Sequence, residues 1–169
     1  VRQALDDRDV TFAAQERQRG TADAVRAARD ELDDAPFAVL NGDVLYDHDS
    51  LAALYDAGPA VGAARVDDPG NYGVLETDED GRVRSVVEKP TNPASNLVNA
   101  GAYVFPAAAR DWLDVGQSDR GEYELTDAVD LLVDKGAGVE TVGVGGWLSN
   151  VNTMADIERV AERLGSDGR

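Results

Sequence analysis

Apolar positions recur along this chain in two rhythms, and the alternation between them predicts the architecture. Val10 to Ala14 reads as a short strand. Thr21 to Asp33 carries Ala22, Val25, Ala28 and Leu32 at a one-face helical spacing. Pro36 opens Phe37-Ala38-Val39-Leu40, a continuous apolar run of the kind shown by a central strand buried on both faces. Asn41-Gly42-Asp43 stops it, and a short helix is expected from a cap at Asp49-Ser50. Pro59 to Val66 gives another strand. Tyr72 to Glu76 and Arg82 to Glu88 flank Asp78-Glu79-Asp80-Gly81, a hairpin signal. Leu97 to Phe105 is a further strand, followed by helices at Ala107 to Leu113 and Leu125 to Asp134, then a strand at Val139 to Val144. A capping box at Thr153-x-x-Asp156 starts a last helix, with Met154, Ile157, Val160, Ala161 and Leu164 on one face. Strands alternating with helices predict one α/β domain over residues 1–169 with a mixed, mostly parallel sheet. In such sheets ligands bind at the carboxyl ends of strands, which directs attention to Asn41-Gly42-Asp43.

Composition narrows the functional classes. With 43% apolar residues in 169, the chain can bury a core. No apolar run is long enough for a membrane-spanning helix, and Val1 to Asp9 lacks the apolar stretch of a signal peptide, so a cytoplasmic location is expected. Absence of cysteine excludes disulfides and thiolate metal sites. There are 33 acidic and 16 basic residues, for a net charge of −17, and Lys89 and Lys135 are the only lysines. No basic stripe is visible, which argues against nucleic acid as a partner. The acids are scattered rather than massed in a tail, so they read as adaptation to high salt rather than as one interaction surface.

Candidate chemistry gathers at strand ends. Asp43 follows the most apolar strand, where its backbone is fixed and its side chain can reach a crevice; one carboxylate plus substrate phosphates suits Mg²⁺. The plain alternative is turn chemistry, since Asn-Gly-Asp is an ordinary turn sequence. Gln15 precedes Gly20-Thr21 at a strand-to-helix junction, offering an amide that can read a base edge, although Gly-Thr alone is commonly a helix cap. Glu88 and Asn99 offer the paired acceptors and donors that sugar hydroxyls need. Lys89 can meet a phosphate as a point charge, or simply pair with Glu88. His48, between two aspartates and beside no nucleophile motif, is given no catalytic role, and Trp112 and Trp147 are read as packing residues.

In order and spacing, Gln15…Gly20-Thr21, Asn41-Gly42-Asp43, Tyr72-Gly73, Glu88-Lys89-Pro90, Asn99-Ala100-Gly101, Gly121-Glu-Tyr-Glu-Leu-Thr126-Asp127 and Trp147…Asn150-Val151-Asn152 resemble the sugar-1-phosphate nucleotidyltransferase family. The nearest branch contains N-acetylglucosamine-1-phosphate uridylyltransferases and glucose-1-phosphate thymidylyltransferases. The resemblance implies a Rossmann-like nucleotide-diphospho-sugar transferase fold and formation of a nucleotide sugar and pyrophosphate from a sugar-1-phosphate and UTP or dTTP. Gln15, Gly20 and Thr21 match its base contacts, and Gly73, Glu88 and Asn99 its sugar contacts. Lys89 matches a lysine near the sugar phosphate, and Asp43 the metal-binding aspartate. Asn152 matches the second metal ligand, with Asn150 as the alternative. Thr126 is expected to cap the helix that follows it, with Glu124 and Tyr123 near the sugar as the alternative reading of that segment. The family's glycine-rich phosphate loop has no counterpart here, so the chain is expected to correspond to a C-terminal part lacking the first βα units. The partners this implies are the missing N-terminal segment, or another chain completing the site, and a homo-oligomer. A catalytically inactive sugar- or nucleotide-binding module is the alternative function, and a glycosyltransferase is disfavoured because no second carboxylate follows Asp43 closely.

Overall fold

The computed structural model describes residues 2–5, 7–118, 120–145 and 153–167. Six strands form one sheet: β1 (Phe37–Leu40), β2 (Ala60–Arg65), β3 (Gly73–Thr77), β4 (Val83–Glu88), β5 (Leu97–Phe105) and β6 (Glu140–Gly143). The helices are α1 (Thr21–Ala27), α2 (His48–Asp56), α3 (Leu125–Asp134) and α4 (Met154–Asp167). The sheet runs β4-β3-β5-β2-β6, with β1 also paired to β5.

The mixed α/β sheet is as expected, but its parallel character is not. Only β2 and β6 pair in parallel among the described strands; β5 is antiparallel to β1, β2 and β3, and β3 to β4. The cause is β5. It lies between β1 and β2, so those two run in the same direction without ever meeting.

β5 also explains where the sheet opens. Along one edge it pairs with β2, from Arg65↔Leu97 to Ala60↔Val104. Along the other it pairs first with β3, at Val74↔Val98, and then with β1, from Leu40↔Ala102 to Phe37↔Phe105. Asn99 to Gly101 fall in the gap between the two partners. Gly101 sits at φ +72°, where a side chain is strained, and a Cβ there would collide with the Asn41 amide. The chain thus makes a slot between β3 and β1 at the point where β5 changes neighbour.

Alternation on β5 builds a core on each face of the sheet. Tyr103 and Phe105 join Phe37, Leu75, Val86 and Leu113 under α1 and α3, with rings stacked at 5.6 Å (Phe37–Phe105) and 5.8 Å (Tyr103–Phe105). Ala102 and Val104 pack against Leu54 of α2 on the opposite face. Each fully buried large side chain contributes about 1.5–3 kcal/mol.

Local departures have local causes. Val10 to Ala14 carries no strand. The helix expected through Asp33 ends at Ala27 and continues as a 3-10 turn over Arg29–Glu31, with Arg26 and Arg29 both reaching Asp114, at 3.3 and 3.1 Å. β1 is not buried on both faces: Ala38 and Leu40, on one face, are exposed, Leu40 by 43%, and among the described strands β1 pairs with β5 alone. Asp47 rather than Asp49 caps α2, accepting from Ser50 N at 2.8 Å. Ala107–Trp112 is a 3-10 segment rather than an α-helix. The Thr153–Asp156 capping box forms, with Asp156 N donating to Thr153 Oγ1 at 3.2 Å, while Met154 and Ile157 of α4 stay 71% and 48% exposed.

Candidate active site

The slot beside β5 deepens into a cavity of about 200 Å³. Its floor is Asn99 and Gly101; β3 and β4 supply Gly73 and Glu88, and the first turn of α3 supplies Thr126. These residues are neighbours because β3 and β4 place Gly73 directly opposite Glu88. A Cβ on residue 73 would sit 3.0 Å from Glu88 Oε2 and 3.4 Å from Thr126 Cγ2, so glycine keeps this wall open.

Five residues singled out in the sequence, Thr21, Gly73, Glu88, Lys89 and Asn99, line this one cavity although they come from four separate segments. Asn99 is held at both ends of its amide, donating to Tyr103 Oη at 2.5 Å and accepting from Gly101 N at 2.9 Å. Its remaining N–H and oxygen lone pair are left for a ligand. Lys89 takes a left-handed backbone, φ 45°, unusual for a side-chain-bearing residue and of the kind that collects at functional sites. Its Nζ lies 3.9 Å from Glu88 Oε1, an ion pair loose enough to yield to a phosphate.

Thr21 joins the site to the N-terminal segment. Its Oγ1 accepts from Leu125 N at 2.9 Å, thereby serving the start of α3. This corrects the assignment of that cap to Thr126, which is buried inside the first turn. Gly20 is not in the cavity. Its φ of +110° lets Arg19 and Ala22 clasp Tyr123, through Tyr123 N to Arg19 O at 2.8 Å and Ala22 N to Tyr123 O at 2.9 Å.

Gln15 lies in a second cavity, of about 370 Å³, together with Arg19, Asp23 and Arg26. The Gly20–Thr21 step stands between the two hollows. Asp43 is exposed and is not among the residues lining the first cavity, but it stands beside that wall. Burial first, and then the charge of Asp43, push the Tyr46 phenol up to about 12; that hydroxyl donates to Gly101 O at 2.7 Å. No cluster of three metal-binding side chains exists among the described residues. Asn150, Asn152 and Trp147 lie outside the described residues. His48 is solvent-exposed, with Nδ1 3.4 Å from Asp49 Oδ1.

The sequence reading did not single out Tyr103 and Arg120, and placed Glu124 near the sugar only as the secondary option beside the Thr126 cap. Tyr103 was signalled by its spacing, since residues 99, 101 and 103 share one face of β5. Glu124 is 7% exposed and lines the first cavity. Its Oε1 lies 3.5 Å from Arg120 Nη1, an ion-pair contact without a hydrogen bond. Burial, a hydrogen bond with Glu122, and the charges of Glu88 and Glu122 push its carboxyl up to about 7 against the opposing Arg120. The cavity therefore holds one carboxylate, Glu88, and one carboxyl that is partly protonated at neutral pH, a mixed acceptor and donor set suited to hydroxyls.

A model of the family described as nucleotidyl transferase matches residues 3–163. The chain belongs to that family. Among its relatives, a UTP–glucose-1-phosphate uridylyltransferase, AglF, of Haloferax volcanii is 32% identical over 163 residues, covering 92% of this chain and 67% of the relative. A glucose-1-phosphate thymidylyltransferase of Streptomyces antibioticus is 34% identical over 159 residues, covering 90% and 45%. Among solved structures, UDP-glucose pyrophosphorylase complexed with UDP-glucose superposes with a TM-score of 0.79 at 20% identity, over 98% of this chain and 72% of that one, which shows a shared fold. The chain thus spans between about half and two thirds of the length of these nucleotidyl transferase relatives, all of which are enzymes.

Proposed function

We propose that the protein carrying this chain joins a sugar-1-phosphate to a pyrimidine nucleotide, releasing pyrophosphate from UTP or dTTP. What carries the reading is the convergence of Thr21, Gly73, Glu88, Lys89 and Asn99 on one cavity. In this reading the sugar ring occupies that cavity. Glu88 and Asn99 take its hydroxyls, Glu124 supplies a donor, and Lys89 meets its phosphate. The base lies against Gln15 and Gly20 across the Gly20–Thr21 step. The nucleophile is a phosphate oxygen already carrying charge, so no general base is needed, and the protein contributes alignment and charge stabilisation.

A divalent ion fits the donor set. Asp43 is a free carboxylate beside the cavity wall, and Mg²⁺ commonly takes one or two carboxylates plus substrate phosphates. Asp43 would hold it, with Asn152 or Asn150 as second ligand. When bound, the ion would neutralise the charge of the facing phosphates.

Pyrophosphate release from UTP or dTTP with glucose-1-phosphate and magnesium tests this reading. Asp43→Ala is expected to lower turnover by about a thousandfold, corresponding to a loss of several kcal/mol of charge stabilisation. The unfolding midpoint should not move, since Asp43 is exposed. Undiminished turnover in the variant would remove Asp43 from the chemistry.

A further inference from the structure

The polar cluster behind Gln15 has a directionality that the family resemblance does not supply. Gln15 Nε2 donates to Asp23 Oδ2 at 2.7 Å and to Gly20 O at 3.2 Å. Both partners are acceptors, so the amide nitrogen must face them and both of its hydrogens are used. Oε1 is left pointing away, with no hydrogen-bond partner among the described residues. Asp23 is 5% exposed and cannot turn, because its Oδ1 takes Arg19 Nη2 at 3.0 Å and also Arg26 Nη2. Those guanidiniums are in turn seated over the Tyr123 ring, 5.7 and 5.3 Å from its centroid. The hydrogen bond from Gln15, ahead of the two arginines, holds the Asp23 carboxyl below the usual range, so it stays an acceptor near neutral pH.

We propose that Asp23 is a positioning residue for base choice: it locks the Gln15 amide with its oxygen toward the ligand, so the site accepts a base with an N–H at ring position 3 and rejects one with a lone pair there. This rests on the nucleotide site read above. Uracil and thymine carry that N–H. Cytosine sets its N3 lone pair against Gln15 Oε1, and two acceptors face each other without a proton. A glutamine free to turn over would serve either base equally. Discrimination therefore resides in the residue behind the one that touches the base.

The test compares UTP and CTP affinities by calorimetry in magnesium for the wild type, Asp23→Asn, Gln15→Met and the double variant. In Asp23→Asn the two arginines keep the amide oxygen, so Nδ2 faces Gln15 and opposes the longer bond to Gly20 O, and the Gln15 amide is no longer held in one orientation. The preference for UTP should fall about tenfold or invert, the range expected when one buried hydrogen bond is replaced by a mismatch. Gln15→Met should lose the preference, and Asp23→Asn should then add nothing. If Gln15→Met loses the preference while Asp23→Asn keeps it, the positioning role of Asp23 is wrong and the nucleotide site stands. If Gln15→Met leaves UTP binding unchanged, the nucleotide site itself is wrong, and the proposal goes with it. A wild-type measurement is independent of whether Asp23→Asn folds: the Gln15 side-chain NH₂ protons should exchange slowly with solvent, before and after UTP binds. Fast exchange in the free protein would overturn the proposal.

Discussion

Gly20→Ala is expected to destabilise the protein by about 3–5 kcal/mol, near the upper end of what single substitutions do. Two costs combine. The backbone at φ +110° and ψ 174° lies in a region essentially reserved for glycine. A Cβ there would also run into the Tyr123 backbone, not into a side chain that can swing aside. Relief would require breaking the clasp of Arg19 and Ala22 on Tyr123, and with it the hydrogen bond from Leu125 N to Thr21 Oγ1. The N-terminal segment and α3 would come apart together. Urea denaturation measures the loss, with Gly116→Ala as control: that glycine has open space at its Cβ position and no positive φ, and should change stability by less than about 0.5 kcal/mol. Equal effects at both positions would contradict this account of Gly20.

Glu124→Gln should stabilise the protein by up to about 3 kcal/mol at pH 8 and by almost nothing at pH 4. The unfolded carboxyl ionises near its ordinary value of 4.5, and the folded one at about 7. Between those values the native state holds more protons than the unfolded state, so stability falls as pH rises through that window. Above pH 7 the wild type carries the whole penalty of an ionised, buried group beside Glu88 and Glu122, reduced by Arg120. Glutamine never ionises, so its advantage appears only where the glutamate is charged. Denaturation curves at the two pH values give the difference directly. An advantage of the same size at both would mean that charge is not what burdens this site.

Legibility in the sequence followed the range of the interactions involved. The β3–β4 hairpin was readable because its turn is local: Asp78 Oδ1 accepts from Asp80 N at 3.0 Å and Arg82 N at 2.9 Å, and Gly81 takes φ +84°. β5 was readable to the residue because Pro106 stops its apolar run, and α3 because its apolar positions recur with a period of 3.6. Strand neighbours were not. Nothing within Phe37–Leu40 says that the face carrying Ala38 and Leu40 stays uncovered, so an apolar run reads as a strand buried on both faces. The mostly parallel sheet failed for the same reason: order along the chain does not reveal that β5 inserts between β1 and β2. In the site, Gly73, Glu88 and Asn99 were found from motif and strand-end position. Glu124 ranked only second to the Thr126 cap, because nothing local in the sequence signals its burial. The cap of α3 by Thr21 spans more than a hundred residues and leaves no local trace.

In the proposed function, the slot where β5 exchanges β3 for β1 receives the sugar phosphate. A heteronuclear NMR titration with glucose-1-phosphate tests it most directly. Shifts are expected at the amides of Gly73, Glu88, Asn99 and Gly101, with loss of binding in Gly73→Val, whose side chain would fill the space in front of Glu88 Oε2 and Thr126. Undiminished binding by that variant, with shifts confined to residues outside the slot, would contradict it.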